Sequence, residues 1–544
     1  MSRVENSLPL FVLIVSASLL IRAALRTPTD VDEGYFAVAF ELVAKGRVLY
    51  RDFFYPQAPL LPYLFAPFSG LIHPYFRGLR ILCAFLPALT SALVSRRVYI
   101  ESRSIIAALA GAAFIVTNDN VWQWLPAIKA YGAAVLFMTG ALLLVTGRGR
   151  PTPWQLRGSG VLAAAAVGAR LLALPIIPAV LIAVAMRHAR APAFRAVAVC
   201  GLCLAATLHP SPVVVVTLGA VAAVVMSADT GWRRILADGA RVAQGLLVVA
   251  VPVCALYVMA PEQFKFGNLG YHALRTDSRT LMGNWLENQW VTYAAVGAHY
   301  VSKVSASGPQ LSLLVILALV GAFRTKTVQS RLPWLLAGVL LFAANLKPNG
   351  IHEQYFVTVV PCLALCAAGS LGDFLSVHRG WGARGGLAAV AIYYGSLAGP
   401  SFTRKTVAKI YDPWNMSSAV PAVLDDVARA VDRAERVAPG PILPSWPGHA
   451  LGHAELILPG YENQFARGVA DKIPEDRRRA LKLRTAADFR SDLIARSATV
   501  LVLGRDVEEP MFDLATACGY EMFGPPIGSY RVYTRAKPAT LACR

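Results

Sequence analysis

The sequence predicts a mainly α-helical membrane protein, a bundle of about eleven to thirteen transmembrane helices followed by a small C-terminal α/β unit. Three observations predict it. Of the 544 residues, 56% are hydrophobic and 15% charged, where a soluble globular chain carries roughly 25% charged residues. Apolar runs approaching the about 20 residues that a bilayer core requires recur from Leu8 to Gly399. Beyond residue 400 the runs stop, and polar, helix-patterned and strand-patterned stretches take over.

In order, the apolar segments are 8–25, 78–95, 104–117, 132–147, 159–170, 171–186, 196–209, 211–226, 242–260, 310–323, 333–345, 354–371 and 387–399. The first reads as a retained signal-anchor helix, since further apolar helices follow it. The adjoining pairs 159–186 and 196–226 contain runs too short to span alone, and read as crossings or as broken, re-entrant helices buried by protein.

The formal charge of +20 has the pattern of an oriented membrane protein, not of a nucleic-acid binder. Arg96, Arg97 and Arg103 fall in one short gap; Arg148, Arg150 and Arg157 in the next but one; then Arg187, Arg190 and Arg195, and Arg233, Arg234 and Arg241. The gaps at 118–131, 209–211 and 346–353 carry few positive charges. Basic loops stay in the cytoplasm, so the N-terminus is expected there. Residues 1–399 form the membrane unit, with 26–77 and 261–309 as long outer loops. Residues 400–544 form a soluble unit outside. The excess of Arg over Lys, with abundant Ala and Val, hints at a GC-rich bacterial genome and hence at a bacterial inner membrane.

The C-terminal unit predicts helices over 418–438 and 474–497, strands at Thr499–Gly504 and Ser529–Thr534, and loops where Pro and Gly cluster at 439–448 and 524–528. Cys518 and Cys543 are its only cysteines. In an oxidising compartment they form a bridge or remain as two thiols, one on a tail. The other six, including Cys200 and Cys203, sit in or beside apolar runs as small helix residues.

The first outer loop carries the most chemistry. Asp30, Asp32 and Glu33 follow the first helix. Tyr35, Phe36, Val38, Ala39, Leu42 and Val43 have helical spacing up to Lys45-Gly46, an amphipathic helix expected to lie along the membrane surface. Tyr50-Arg51-Asp52 comes next, and Gln57-Ala58-Pro59-Leu60 opens a second short helix. Taken alone, Asp32-Glu33 is what a helix N-terminus favours.

Over residues 29–66 this order resembles the first periplasmic loop of the GT-C glycosyltransferases, the branch containing lipid A aminoarabinose transferases, Rgt-type transferases and, more distantly, protein O-mannosyltransferases. The matching residues are Asp32-Glu33, Tyr35, Gly46, Tyr50 and Gln57-Ala58-Pro59-Leu60. The resemblance implies an inverting transfer of a sugar from a polyprenyl-phosphate carrier to an acceptor hydroxyl on a glycan, lipid or protein. It implies Asp32 as the catalytic base, with Glu33 the adjacent acid. Gln57 stands where the family places a Lys able to touch the carrier's phosphate, so that cation must come from elsewhere.

Candidates on the outer side are Arg51, Lys129, Arg170, His272, Arg275 and the run Lys347 to Tyr355, which includes His352 and Glu353. An Arg in apolar surroundings, as Arg170 is, marks function or a snorkelling helix end. The run His449, His453 and Glu455 could suggest a metal, but its Pro- and Gly-rich surroundings favour a chance match; a divalent metal is left open and is not indicated, nor is another cofactor. Neither a P-loop nor a dinucleotide fingerprint is present, which fits a lipid-linked donor. A transporter or flippase of a lipid-linked sugar is the rival class. Internal repeats, its usual mark, are not evident.

Overall fold

The computed structural model describes residues 3–72, 75–147, 149–188, 201, 232–275, 310–320, 328–346, 353–378, 380–397, 420–504, 509–536 and 543. The expected segments at 196–209 (save 201) and 211–226, the loop beyond residue 275, Lys347 and His352 lie outside the described residues.

Among the described residues, the apolar runs form helices, save that the run expected over 354–371 opens with the 3-10 turn Glu353–Thr358. They are α1 (Arg3–Arg26), α4 (Tyr75–Ser102), α5 (Ile105–Val116), α7 (Ala130–Thr146), α8 (Pro153–Ala169), α9 (Ile176–Met186), α10 (Trp232–Met259), α11 (Gln310–Val320), α12 (Val328–Leu346), α13 (Val360–Val377) and α14 (Trp381–Ser396). Among the described residues, α1, α4, α10 and α13 contain stretches long and apolar enough to cross a membrane, and shorter apolar helices accompany them. Residues 159–186 form two helices, broken at Arg170 by a 3-10 turn, Leu171–Ala173. Helices α8 and α10 touch backbone to backbone. A Cβ on Gly160 would strike Val242 O, and one on Gly245 would strike Arg157 O, the close approach that small residues permit between membrane helices.

The described helix ends sort into two groups. One end of the bundle holds a network of buried arginines. Arg97 pairs with Glu101 at 2.7 Å, and Arg331 pairs with Glu101 at 3.2 Å and Asp373 at 2.5 Å. The opposite end receives the loop after α1, the N-termini of α4 and α7, and the C-termini of α8 and α10. There lie α2 (Glu33–Ala44), α3 (Leu60–Ser69) and the short α6 (Asp119–Trp124).

Helix α2 departs from its expected role. It does not lie on a surface. Residues Glu33 through Leu42 are all buried, because the C-terminal unit packs over it. Apart from the paired Glu33 and Glu41 the helix is apolar all round and needs cover on every side, and one hydrophobic core joins Tyr35, Phe36 and Phe40 of α2 to Val427, Leu443 and Trp446 of the C-terminal unit.

That unit is a four-stranded sheet of order β1-β2-β4-β3, formed by β1 (Ile442–Pro444), β2 (Val500–Leu503), β3 (Tyr520–Met522) and β4 (Arg531–Arg535). Strands β1 and β2 run parallel and the other pairs antiparallel. The two expected strands are β2 and β4. The other two have three residues each, and β1 lies inside a Pro/Gly-rich stretch read as loop. Helix α15 (Pro421–Val437) is as expected. The single helix expected over 474–497 is two, Glu475–Ala480 and Ala486–Ile494. The left-handed Lys482 (φ 58°) ends the first, and a Thr485 capping box starts the second. Cys518 and Cys543 are bridged, their Cα atoms 4.7 Å apart.

Candidate functional site

Glu33 organises the acidic loop. Its side chain is fully buried and takes Arg80 Nε at 2.7 Å, with a second bond from Arg80 Nη2. The same carboxylate accepts the backbone N–H of Asp30 at 2.7 Å and of Ile128 at 2.9 Å. Arg80 Nη1 in turn donates to Ala24 O at 2.7 Å. The pair thus fastens the end of α1, the acidic turn, α4 and the approach to α7 together. A buried charge is tolerated only when so fully paired.

Asp32 is placed differently. It occupies the N-cap position of α2 but makes no side-chain cap bond. Its carboxylate lies 2.9 Å from Lys129 Nζ, and that of Asp30 lies 2.6 Å from the same nitrogen. Both acids keep about a quarter of their side-chain surface exposed, whereas Lys129 is buried. Lys129 Nζ also donates to Gln354 Oε1 at 3.0 Å and lies 4.9 Å from the Trp124 ring centre. Burial alone would depress the lysine pKa; Asp32 and Asp30 override it and hold the ammonium above its ordinary value.

Arg170, at the C-terminus of α8, is buried with its guanidinium carbon 4.1 Å from the Tyr131 ring centre and 4.9 Å from that of Tyr355. Its Nε and Nη2 have no hydrogen-bond partner among the described residues.

Around these groups sit Tyr35, Tyr55 and Tyr271. Burial, then the nearby Asp32 charge, raises the Tyr35 pKa well above its usual range. Burial dominates at Tyr271, pushed up to about 12 despite the opposing Arg275 charge. These phenols remain neutral. His272 Nε2 donates to Pro56 O at 3.0 Å, and burial lowers the imidazole pKa, with the Arg275 and Arg170 charges acting the same way.

The structure therefore brings Asp32, Lys129, Arg170 and Tyr355 to one place. Tyr50 and Gln57 serve as loop supports. Tyr50 adopts a left-handed backbone (φ 67°) and donates its hydroxyl to Gln57 O at 2.6 Å, while Asn268 Nδ2 donates to Tyr50 at 3.2 Å. Arg51 is exposed and paired with Asp52 at 2.9 Å. Arg275 is exposed, 5.4 Å from the Phe465 ring centre. Glu353 begins the turn Glu353–Thr358, but its side chain lies outside the described set. His449 packs against Trp446 and Tyr530, and His453 lies 3.4 Å from Asp432. Sequence reasoning missed Arg80, Gln354 and Trp446. Arg80 alone left a signal, an ionisable residue inside the apolar run 78–95.

The described residues form a helical bundle with an acidic loop at one end, roofed by a small α/β unit. Among solved structures the chain is similar to ArnT from Cupriavidus metallidurans bound to undecaprenyl phosphate, with a TM-score of 0.56 and 14% identity over 97% of this chain and 98% of that chain. The apo form of the same protein gives 0.53 and 13% over the same shares. The apo Archaeoglobus fulgidus oligosaccharyltransferase gives 0.46 and 14%, over 99% of this chain and 76% of that one. Both neighbours are GT-C superfamily members. No protein-family model and no curated protein sequence matches the chain.

Proposed function

We propose that the protein is an inverting glycosyltransferase that moves a sugar from a polyprenyl-phosphate carrier to an acceptor hydroxyl at the outer face of a bacterial inner membrane. One observation carries this reading. Asp32 stands at a helix N-cap, makes no cap bond, and keeps its carboxylate partly open beside a buried cation. That is a carboxylate held for chemistry, in a fold whose solved neighbour binds undecaprenyl phosphate.

In the proposed reaction the acceptor oxygen attacks the anomeric carbon from the side opposite the phosphate. The new C–O bond forms as the bond to the phosphate oxygen breaks. The hydroxyl proton passes to Asp32 as general base, and the bonding pair leaves with the carrier phosphate. That phosphate gains negative charge as it departs, so a cation aimed at it stabilises the transition state more than the ground state. A hundredfold contribution from the base corresponds to about 3 kcal/mol, within reach of one placed carboxylate. Glu33, with both oxygens engaged, positions the loop. The C-terminal unit lies outside the membrane and roofs the acceptor side.

The test is mass spectrometry of lipids that co-purify with the full chain in native-lipid particles, before and after addition of cell-envelope lipid and glycan acceptors. One polyprenyl-phosphate sugar should disappear as free polyprenyl phosphate appears. Movement of the intact lipid-linked sugar across proteoliposomes, with no cleavage, would establish the flippase reading instead.

A further inference from the structure

Two buried cations flank the acidic turn, and their surroundings differ. An ammonium has three N–H donors. Lys129 Nζ has three acceptors within bonding distance, Asp30 at 2.6 Å, Asp32 at 2.9 Å and Gln354 at 3.0 Å. The Trp124 ring lies 4.9 Å from the same nitrogen. An anion approaching Lys129 would have to displace a carboxylate. Arg170 is the converse. Its guanidinium carbon lies 4.1 Å from the Tyr131 ring centre and 4.9 Å from that of Tyr355, while Nε and Nη2 are buried and lack partners among the described residues. Burying such donors unmet is costly. A buried planar fork with two donors unmet suits a phosphate, which accepts two parallel N–H bonds.

We propose that Lys129 is a positioning residue that fixes Asp30 and Asp32 and does not bind the carrier's phosphate, and that Arg170 is the phosphate's receptor. This division of labour rests on the transferase reading above. Lys129 orients the Asp32 carboxylate through the 2.9 Å contact, and when Asp32 takes a proton the ammonium keeps Asp30 as its counterion. Gln354, from the turn Glu353–Thr358, completes the lysine's shell, so the segment that supplies Tyr355 to Arg170 also steadies the base.

The experiment measures binding of undecaprenyl phosphate itself to the full chain in lipid nanodiscs. Arg170→Gln should weaken it by roughly 10- to 100-fold, the loss expected for charge-assisted bonds. Lys129→Met should leave it within about threefold, because the lysine touches no part of the lipid. Equal losses in the two variants would overturn the assignment. If neither variant weakens binding, the carrier reading itself fails at this site, a separate outcome. Because Lys129→Met leaves two acids facing each other, Lys129→Met with Asp30→Asn restores the charge count and serves if the single variant does not fold. With the sugar-linked carrier as donor, the lysine variants should lose turnover by about a hundredfold with donor KM unchanged, a split that a merely structural residue would not give. Unchanged turnover would overturn the positioning role.

Discussion

The indole nitrogen of Trp446 donates to the backbone carbonyl of Val31 at 2.8 Å, across 415 positions of sequence. Gln464 Nε2 donates to the same oxygen at 2.7 Å. Val31 lies between Asp30 and Asp32, so the C-terminal unit grips the acidic turn at its centre. The fit is close: a Cβ on Gly34 would stand 2.5 Å from Trp446 Cε2 and 2.9 Å from Gly448 N. Trp446→Phe removes the bond and leaves a smaller ring in its place, a loss of about 1–3 kcal/mol in stability. Gly34→Ala must push the indole away. Both variants should insert and fold. Transfer should fall further in Gly34→Ala, and a Gly34→Ala protein with normal turnover would show that the grip is not needed.

Asp32 and Glu33 should separate cleanly on substitution. Asp32→Asn conserves shape and removes the proposed base, so transfer should fall by at least about a hundredfold while melting behaviour is kept. Glu33→Gln strands Arg80 in a buried site, where breaking such a pair costs about 3–5 kcal/mol. Its first symptom should be lost yield or a lower Tm. Expression level, Tm and turnover measured on both variants check this, and a fully active Asp32→Asn would remove Asp32 from the mechanism.

Glu41 should make the docking of the C-terminal unit pH-dependent. Its carboxylate is buried and accepts Gly452 N–H at 2.8 Å and Ala454 N–H at 3.1 Å. Burial, opposed by these bonds and aided by neighbouring Glu455, raises its pKa from 4.5 to about 7. A raised acid pKa means that the folded state favours the protonated form. Its contribution is greatest below about 4.5, declines as pH rises, and is lost above about 7. The span corresponds to at most about 3 kcal/mol. Glu41→Gln should flatten stability against pH across that window. A wild-type curve already flat there would contradict the assignment.

The Cys518–Cys543 bridge closes a loop with a sequence separation of 25. Closing such a loop contributes about 3 kcal/mol in the chain-entropy model. Cys543→Ser should lower the midpoint for unfolding of the C-terminal unit, read by tryptophan fluorescence. Non-reducing mass spectrometry of the wild type should find no free thiol at either position.

Orientation is open to a direct check. A reporter fused near Arg234 should report cytoplasm, and one fused after residue 399 should report the outside, because basic gaps stay inside. A cytoplasmic signal from the second fusion would invert the arrangement and move the acidic turn to the wrong face.

Among the described residues, the sequence by itself determined where the apolar helices lie, the strands β2 and β4, and the acidic loop that follows α1. Each rests on local information: apolar run length, alternation, and the order of residues in one loop. What only the tertiary structure decided is which partners those residues meet. Glu33 and Asp32 are neighbours in sequence with the same chemistry, and one is sealed against Arg80 while the other stays open beside Lys129. Helix α2 read as a membrane-surface helix because nothing local announces that a unit about 400 residues later covers it. Strand β1 was invisible because three residues carry no period, and its pairing with Val500–Val502 is what makes it a strand. Likewise Lys129 and Arg170 looked alike as cations near helix ends. Their difference lies in which hydrogen-bond partners the fold delivers, a property of contacts between distant segments.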